Sequence, residues 1–210
     1  MADPAPSRPG RLPRGRHDLS REQVEADQRL RILTAFAAAM ADDGYARTSV
    51  AAVLRRAGVS RETYYRLFDD KLDGFLAAFD LVGEVLVADL ESSVSGPGAP
   101  IDRVERALGR YLELIAGHRA EARLFLVEAF AAGPDAIERR AALQGRIAQQ
   151  LAAALGTTTD QGRFTCRTLV AAVSAMIVVP LVADDPDEIL ALGPPLSEQL
   201  RRLHAAHLLD

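Results

Sequence analysis

Cysteine occurs once, lysine once and tryptophan not at all in this chain of 210 residues. The single thiol, Cys166, excludes an internal disulfide framework and a metal cluster built on cysteines. Alternation of β-branched and polar residues is almost absent, while alanine and leucine dominate, so the expected fold class is all-α. There is no glycine-rich phosphate loop, no nucleophile elbow and no zinc-ligand spacing. The four histidines, His17, His118, His204 and His207, are scattered. His204, His207 and Asp210 could share a helix face, but a polar helix end accounts for them without a metal. No enzyme activity, metal or cofactor is therefore expected. The longest apolar run, Leu169 to Ala183, contains Ser174 and Pro180 and falls short of the roughly 20 residues of a membrane span. No apolar segment follows the N-terminus, so no signal peptide is expected, and the expected location is the cytoplasm.

What is present is unevenly distributed. Residues 1–71 hold 13 basic against 10 acidic residues, a net of +3, and residues 72–210 carry −7. Such a split fits a head that meets a polyanion, carried on an acidic body. Of the 25 basic residues, 24 are arginine, and the one lysine is Lys71. Residues 1–19 mix prolines with Arg8, Arg11, Arg14 and Arg16. They read as a disordered arm, which either follows a nucleic-acid backbone or is a frayed tail.

The stretch from Thr48 to Lys71 is the most informative. Thr48 or Ser49 can cap a helix whose apolar face is Val50, Val53 and Leu54. Ala57-Gly58-Val59 breaks it, with glycine suited to a left-handed helix end. Ser60 then caps a second helix over about Arg61 to Leu67. In a helix-turn-helix the second helix enters the DNA major groove by its N-terminal end. That end carries Arg61, Glu62 and Thr63 for base edges, then Tyr64, Tyr65 and Arg66 for bases and phosphates. Asp70 caps the next helix, which places Lys71 in a first turn suited to a phosphate. An ordinary helical corner with solvated arginines would carry the same local signals.

The motifs go further. Gly44-Tyr45, Thr48-Ser49-Val50, Ala57-Gly58-Val59-Ser60, Thr63-Tyr64-Tyr65 and Phe68-Asp69-Asp70-Lys71 follow in order. This series resembles the DNA-binding domain of the TetR (tetracycline repressor) family over about residues 21–75. Glu62 departs from the family pattern where glycine is frequent, and Leu54 where alanine is frequent. The resemblance implies a homodimeric regulator, a repressor released from a palindromic double-stranded DNA operator by a small apolar effector; an all-α dimeric ligand-binding or protein-interaction module without specific DNA binding is the alternative. It makes Thr48, Ser49, Ser60, Arg61, Glu62, Thr63, Tyr64, Tyr65, Arg66 and Lys71 the expected DNA contacts. The head would be residues 20–70, and residues 71–210 the ligand-binding and dimerisation body.

In the body, helices are expected over about Asp70–Ser93, Asp102–His118, Ala120–Ala132, Pro134–Leu155, Thr159–Val182 and Pro194–His207. The segment from Thr165 to Val182 is apolar on nearly every side, so it must be covered all round. The resemblance implies that the last two long helices meet their copies there. Glu128 sits in LFLVEAFAAG, where a carboxylate is either paired, for instance with Arg123, or waits for a ligand. Tyr111, His118, Phe125 and Phe130, with Phe164, Thr168 and Met176 from the later helix, are the expected pocket lining around it. Plain core packing with one structural ion pair is the alternative.

Overall fold

The computed structural model describes residues 20–210, so the arm expected over residues 1–19 lies outside the described residues. Helix α1 (Arg21–Arg47) opens with a reciprocal cap, in which Ser20 accepts from the Gln23 amide and Gln23 accepts from that of Ser20. Its buried stripe is Ile32, Leu33, Phe36 and Met40. Gly44, at φ 73°, interrupts the helical geometry and kinks the last turn. Helix α2 (Val50–Ala57) starts at Ser49, whose side chain accepts from the Ala52 amide, and stops at left-handed Gly58. Helix α3 (Arg61–Leu67) is capped by Ser60, and α4 (Lys71–Val94) by Asp70. Each of these signals acts within three or four residues, so each fold boundary follows from local chemistry.

Tyr64 is the centre of the head. It is fully buried, its ring contacts Phe36 and Phe68, and its hydroxyl donates to the Asp70 carbonyl at 2.8 Å. Gly74 lets α4 come down on this cluster. A Cβ there would stand 2.5 Å from the Tyr64 hydroxyl and 2.6 Å from Phe36.

The body follows as α5 (Pro100–Gly117), α6 (Arg119–Arg123), a π-helical turn (Leu124–Glu128), α7 (Ala129–Ala132), α8 (Pro134–Leu155), α9 (Asp160–Val182), α10 (Pro186–Ala191) and α11 (Gly193–Ala205). The helix expected over Ala120–Ala132 is thus divided by a wider π turn. Helix α4 serves both halves, with Phe75 against Tyr45 and Phe79 against Phe125. One apolar core accordingly runs from Ile32 in α1 through α4 to Leu143 in α8 and Ile177 in α9. Arginine–carboxylate pairs fasten the outside: Arg110 to Asp89, Arg139 to Asp80, Arg146 to Glu84 and Arg201 to Glu105.

Helix α9 falls where the sequence places it, with Thr159 as its N-cap. It runs 23 residues and, by length and composition alone, could cross a membrane. Only 28% of its most apolar stretch is buried. Phe164, Met176, Val179 and Val182 point outward, spaced so that they share one side of the helix.

Candidate nucleic-acid interface and body cavities

The outward face of α3 is short and rigidly based. The Ser60 hydroxyl accepts from the Thr63 amide at 3.0 Å and meets the Thr63 hydroxyl at 2.9 Å. Arg61, Glu62, Tyr65 and Arg66 are exposed. The Arg61 guanidinium lies 5.3 Å from the Tyr65 ring centre, and that ring stacks edge-on against buried Tyr64. Arg66 donates to Gln28 of α1 at 3.2 Å. Glu62 forms no ion pair among the described residues, so it does not hold Arg61 or Arg66 in place. Ser49 is exposed at the start of α2, two residues after exposed Arg47, while Arg55 and Arg56 are exposed in its last turn, where Arg56 pairs with Asp42.

Two expected contacts face inward. Tyr64 is spent on the core, because its ring fills the space between α1 and α4. Thr48 is 2% exposed, and its hydroxyl donates to the carbonyls of Gly44 at 2.8 Å and Ala39 at 3.2 Å. Lys71 is half-committed. Its ammonium donates to the carbonyls of Tyr45 at 3.0 Å and Thr48 at 3.2 Å, and lies 3.9 Å from the Tyr45 ring centre. One of its three N–H bonds is left for a phosphate. Burial lowers its pKa from the ordinary lysine value.

The reason for this concentration is the kink at Gly44. Non-helical φ and ψ there break the run of backbone hydrogen bonds, and each freed group needs a partner. Glu128 supplies one: its Oε2 accepts from the Tyr45 amide at 2.7 Å. Thr48 and Lys71 cover the carbonyls. Glu128 is 6% exposed, and the Arg123 guanidinium stands 3.9 Å from its other oxygen. The carboxylate therefore belongs to a joint between body and head, and not to a pocket. A Cβ on Gly44 would sit 3.3 Å from Glu128 Oε2 at a φ that side chains rarely adopt. Composition marked Glu128 as unusual. Nothing within its own helix pointed to Tyr45, 83 residues away.

The other expected pocket residues separate. Tyr111 lines a half-open cavity of about 130 Å³ between α4, α5, α8, α9 and α11. Burial pushes its hydroxyl up to about 12, partly offset by the Ser174 hydroxyl beside it. His118 and Phe125 border a different hollow of about 240 Å³, where α1 meets α4, α5 and α6. Phe130, Phe164, Thr168 and Met176 are on the outside. Phe130 and Phe164 are each covered by an arginine, Arg140 and Arg167, and Thr168 donates to the Phe164 carbonyl at 3.0 Å. These residues do not gather because α9 presents Phe164, Thr168 and Met176 outward and α7 presents Phe130 outward, and helical spacing alone does not say which side faces in. His204, His207 and Asp210 do not gather either: His207 meets Asp210 at 2.6 Å, and no group of three metal-binding side chains forms among the described residues.

Comparison with known proteins bears on both halves. Residues 32–78 match the family model described as bacterial regulatory proteins, tetR family. No curated protein matches the chain. Among solved structures, FadR from Bacillus subtilis, in complex with stearoyl-CoA, superposes with a TM-score of 0.72 at 16% identity, covering 81% of this chain and 96% of that one. A transcriptional regulator from Rhodococcus sp. Rha1 is 25% identical with a TM-score of 0.66, covering 84% and 96%. A TetR-family regulator from Agrobacterium tumefaciens gives 0.70 at 16% identity, covering 83% and 98%.

Proposed function

We propose, from the premise that the chain belongs to the tetR family of bacterial regulatory proteins, that it is a homodimeric repressor released from a palindromic operator by a small apolar ligand. The observation that carries this reading is the mechanical continuity of α4. Its first turn holds the head through Asp70, Lys71 and Gly74, and its later residues Leu90 and Val94 line the 130 Å³ cavity. Anything that favours a different setting of α4 at the cavity must move α3 in the head. Two copies of α3 have to reach half-sites about 34 Å apart, one helical turn of DNA, so a small tilt is enough to spoil the fit. Such a ligand acts only through its differing affinity for the DNA-bound and free arrangements.

Arg61, Tyr65 and Ser49 are the groups placed to meet DNA, with Arg66 and the remaining N–H of Lys71 directed at the backbone. The outward apolar side of α9 supplies the contact between copies, since a helix apolar all round needs cover on that side. The acyl-CoA of the Bacillus subtilis protein is not carried over to this chain, because no charged side chain lines the 130 Å³ cavity.

Binding of the full-length protein to its own upstream DNA, followed by anisotropy at several salt concentrations, tests the reading. Saturable binding of one dimer with preference over scrambled DNA is expected. Equal binding to both DNAs would leave an all-α ligand-binding dimer, for which the unpaired Glu62 carboxylate at the tip of α3 would be the reason.

A further inference from the structure

Glu62 is the only acidic side chain of α3. It stands two residues before buried Tyr64, which turns it about 200° around the helix. Its side chain therefore leaves on the side opposite the core, and it is exposed there. Arg66 follows at i+4, the spacing at which a carboxylate and a cation pair on a helix surface. That pair is not made: the Arg66 guanidinium donates to Gln28 of α1 instead. Arg61 lies over the Tyr65 ring, and the Ser60 and Thr63 hydroxyls are turned to one another. The carboxylate is thus left without a partner among the described residues, on the outermost line of the helix. An ionised carboxylate only accepts hydrogen bonds. In the major groove cytosine offers its N4–H, guanine shows two acceptors, thymine an acceptor and a methyl, and adenine sets N7 beside its N6–H. The phosphates repel Glu62 whatever the sequence. It weakens binding in general and repays the loss only over cytosine, which raises specificity and not affinity. An acid in a first turn also steadies the helix through its dipole, but that role is blind to the DNA sequence.

We propose that Glu62 is a specificity-determining residue that reads cytosine in the operator, its carboxylate accepting a hydrogen bond from the N4 amino group in the major groove. The assignment rests on the DNA-binding reading above and adds a base to it.

Selection from randomised duplex DNA by the full-length parent, Glu62→Ala and Glu62→Gln tests the proposal. The parent should prefer cytosine at one position in each half-site. In Glu62→Ala that preference should vanish while the other positions keep theirs. In Glu62→Gln it should move toward adenine, whose N6 and N7 suit an amide. Both variants should bind scrambled DNA more tightly than the parent, because a charge that repels phosphate is gone. The selected operator is then made with N4-methylcytosine at that position. In the base pair the methyl replaces the N–H that faces the groove and leaves the pairing to guanine intact. The parent should lose about tenfold in affinity, the size of one hydrogen bond to a charged acceptor, and Glu62→Ala much less. A selected operator whose base preferences are the same in Glu62→Ala would reduce Glu62 to a helix-start acid and overturn the proposal. A loss of preference spread over every position would overturn it too, since Glu62 would then be setting the pose of α3. So would an equal effect of methylation on parent and variant. Each of these failures leaves the operator reading standing, whereas a parent that selects no sequence at all would overturn both.

Discussion

Glu128 shows how much one side chain carries when it closes a gap in the backbone. Its carboxylate holds the amide that the Gly44 kink leaves without a helical partner, and Arg123 offsets part of its charge. Glu128→Ala should therefore cost about 2–4 kcal/mol in unfolding free energy, from the orphaned amide and the unpaired guanidinium together. Glu128→Gln keeps an acceptor at the same distance and should lose less than half of that. Urea titration of both variants reads the difference, and equal losses would mean that charge, not the hydrogen bond, is what matters. The local half of this arrangement is legible in the sequence. Gly44-Tyr45, the Thr48 position and Lys71 stand out as a motif, and the caps at Ser20, Ser49, Ser60 and Asp70 each fall where short-range chemistry puts them. The distant half is not. A contact between Tyr45 and Glu128 depends on how α1 packs on the π-helical turn, which neither segment encodes alone.

At the scale of the element, α3 and α9 are opposite cases. In α3 the exposed side chains are few and already ordered, with Arg61 over Tyr65 and Tyr65 backed by Tyr64. Arg61→Ala should cost about 1–3 kcal/mol at the preferred operator and relax the preference at one position per half-site. Affinities for single-base operator variants check this, and a loss that is uniform over all variants would move Arg61 to the phosphates. Helix α9 carries its apolar side chains on the outside, and its period revealed that it was apolar all round without revealing which side the rest of the chain would cover. Phe164, Thr168 and Met176 were expected in a pocket for that reason. Met176→Arg leaves the protomer's own packing alone, since Met176 is 46% exposed. It should nonetheless convert the dimer to monomer, because an unpaired charge would be buried between copies at a cost of several kcal/mol. Sedimentation at micromolar concentration reads the outcome, and an intact dimer would place the interface elsewhere.

Across the whole molecule, the buried tyrosines link packing to alkaline stability. Burial raises the pKa of Tyr45, Tyr64 and Tyr111, the last from 10.0 to about 12. The folded state favours the neutral phenol, so its contribution is fully present below pH 10 and is lost as pH rises through the folded value. For Tyr111 that amounts to about 3 kcal/mol between pH 10 and 12. With four tyrosines and no tryptophan in the chain, phenolate absorbance reports the titration directly. A cooperative rise that coincides with loss of helix is expected, and independent titration of all four near pH 10 would contradict the burial. The continuous core from α1 to α9 explains why unfolding should be one event, although net charge divides the chain into residues 1–71 at +3 and residues 72–210 at −7.

Lys71 gives the molecule an unusual address. Because every other basic side chain is a guanidinium, a protease specific for lysine has one peptide bond to cut, Lys71–Leu72, at the first turn of the helix that joins the two halves. The ammonium such an enzyme must grasp is held by the carbonyls of Tyr45 and Thr48. Cleavage therefore has to wait for this joint to open, and its rate counts the openings. A digestion time course would thus follow the head–body joint without any label, and a ligand or operator that tightens the joint would lengthen the life of the intact chain.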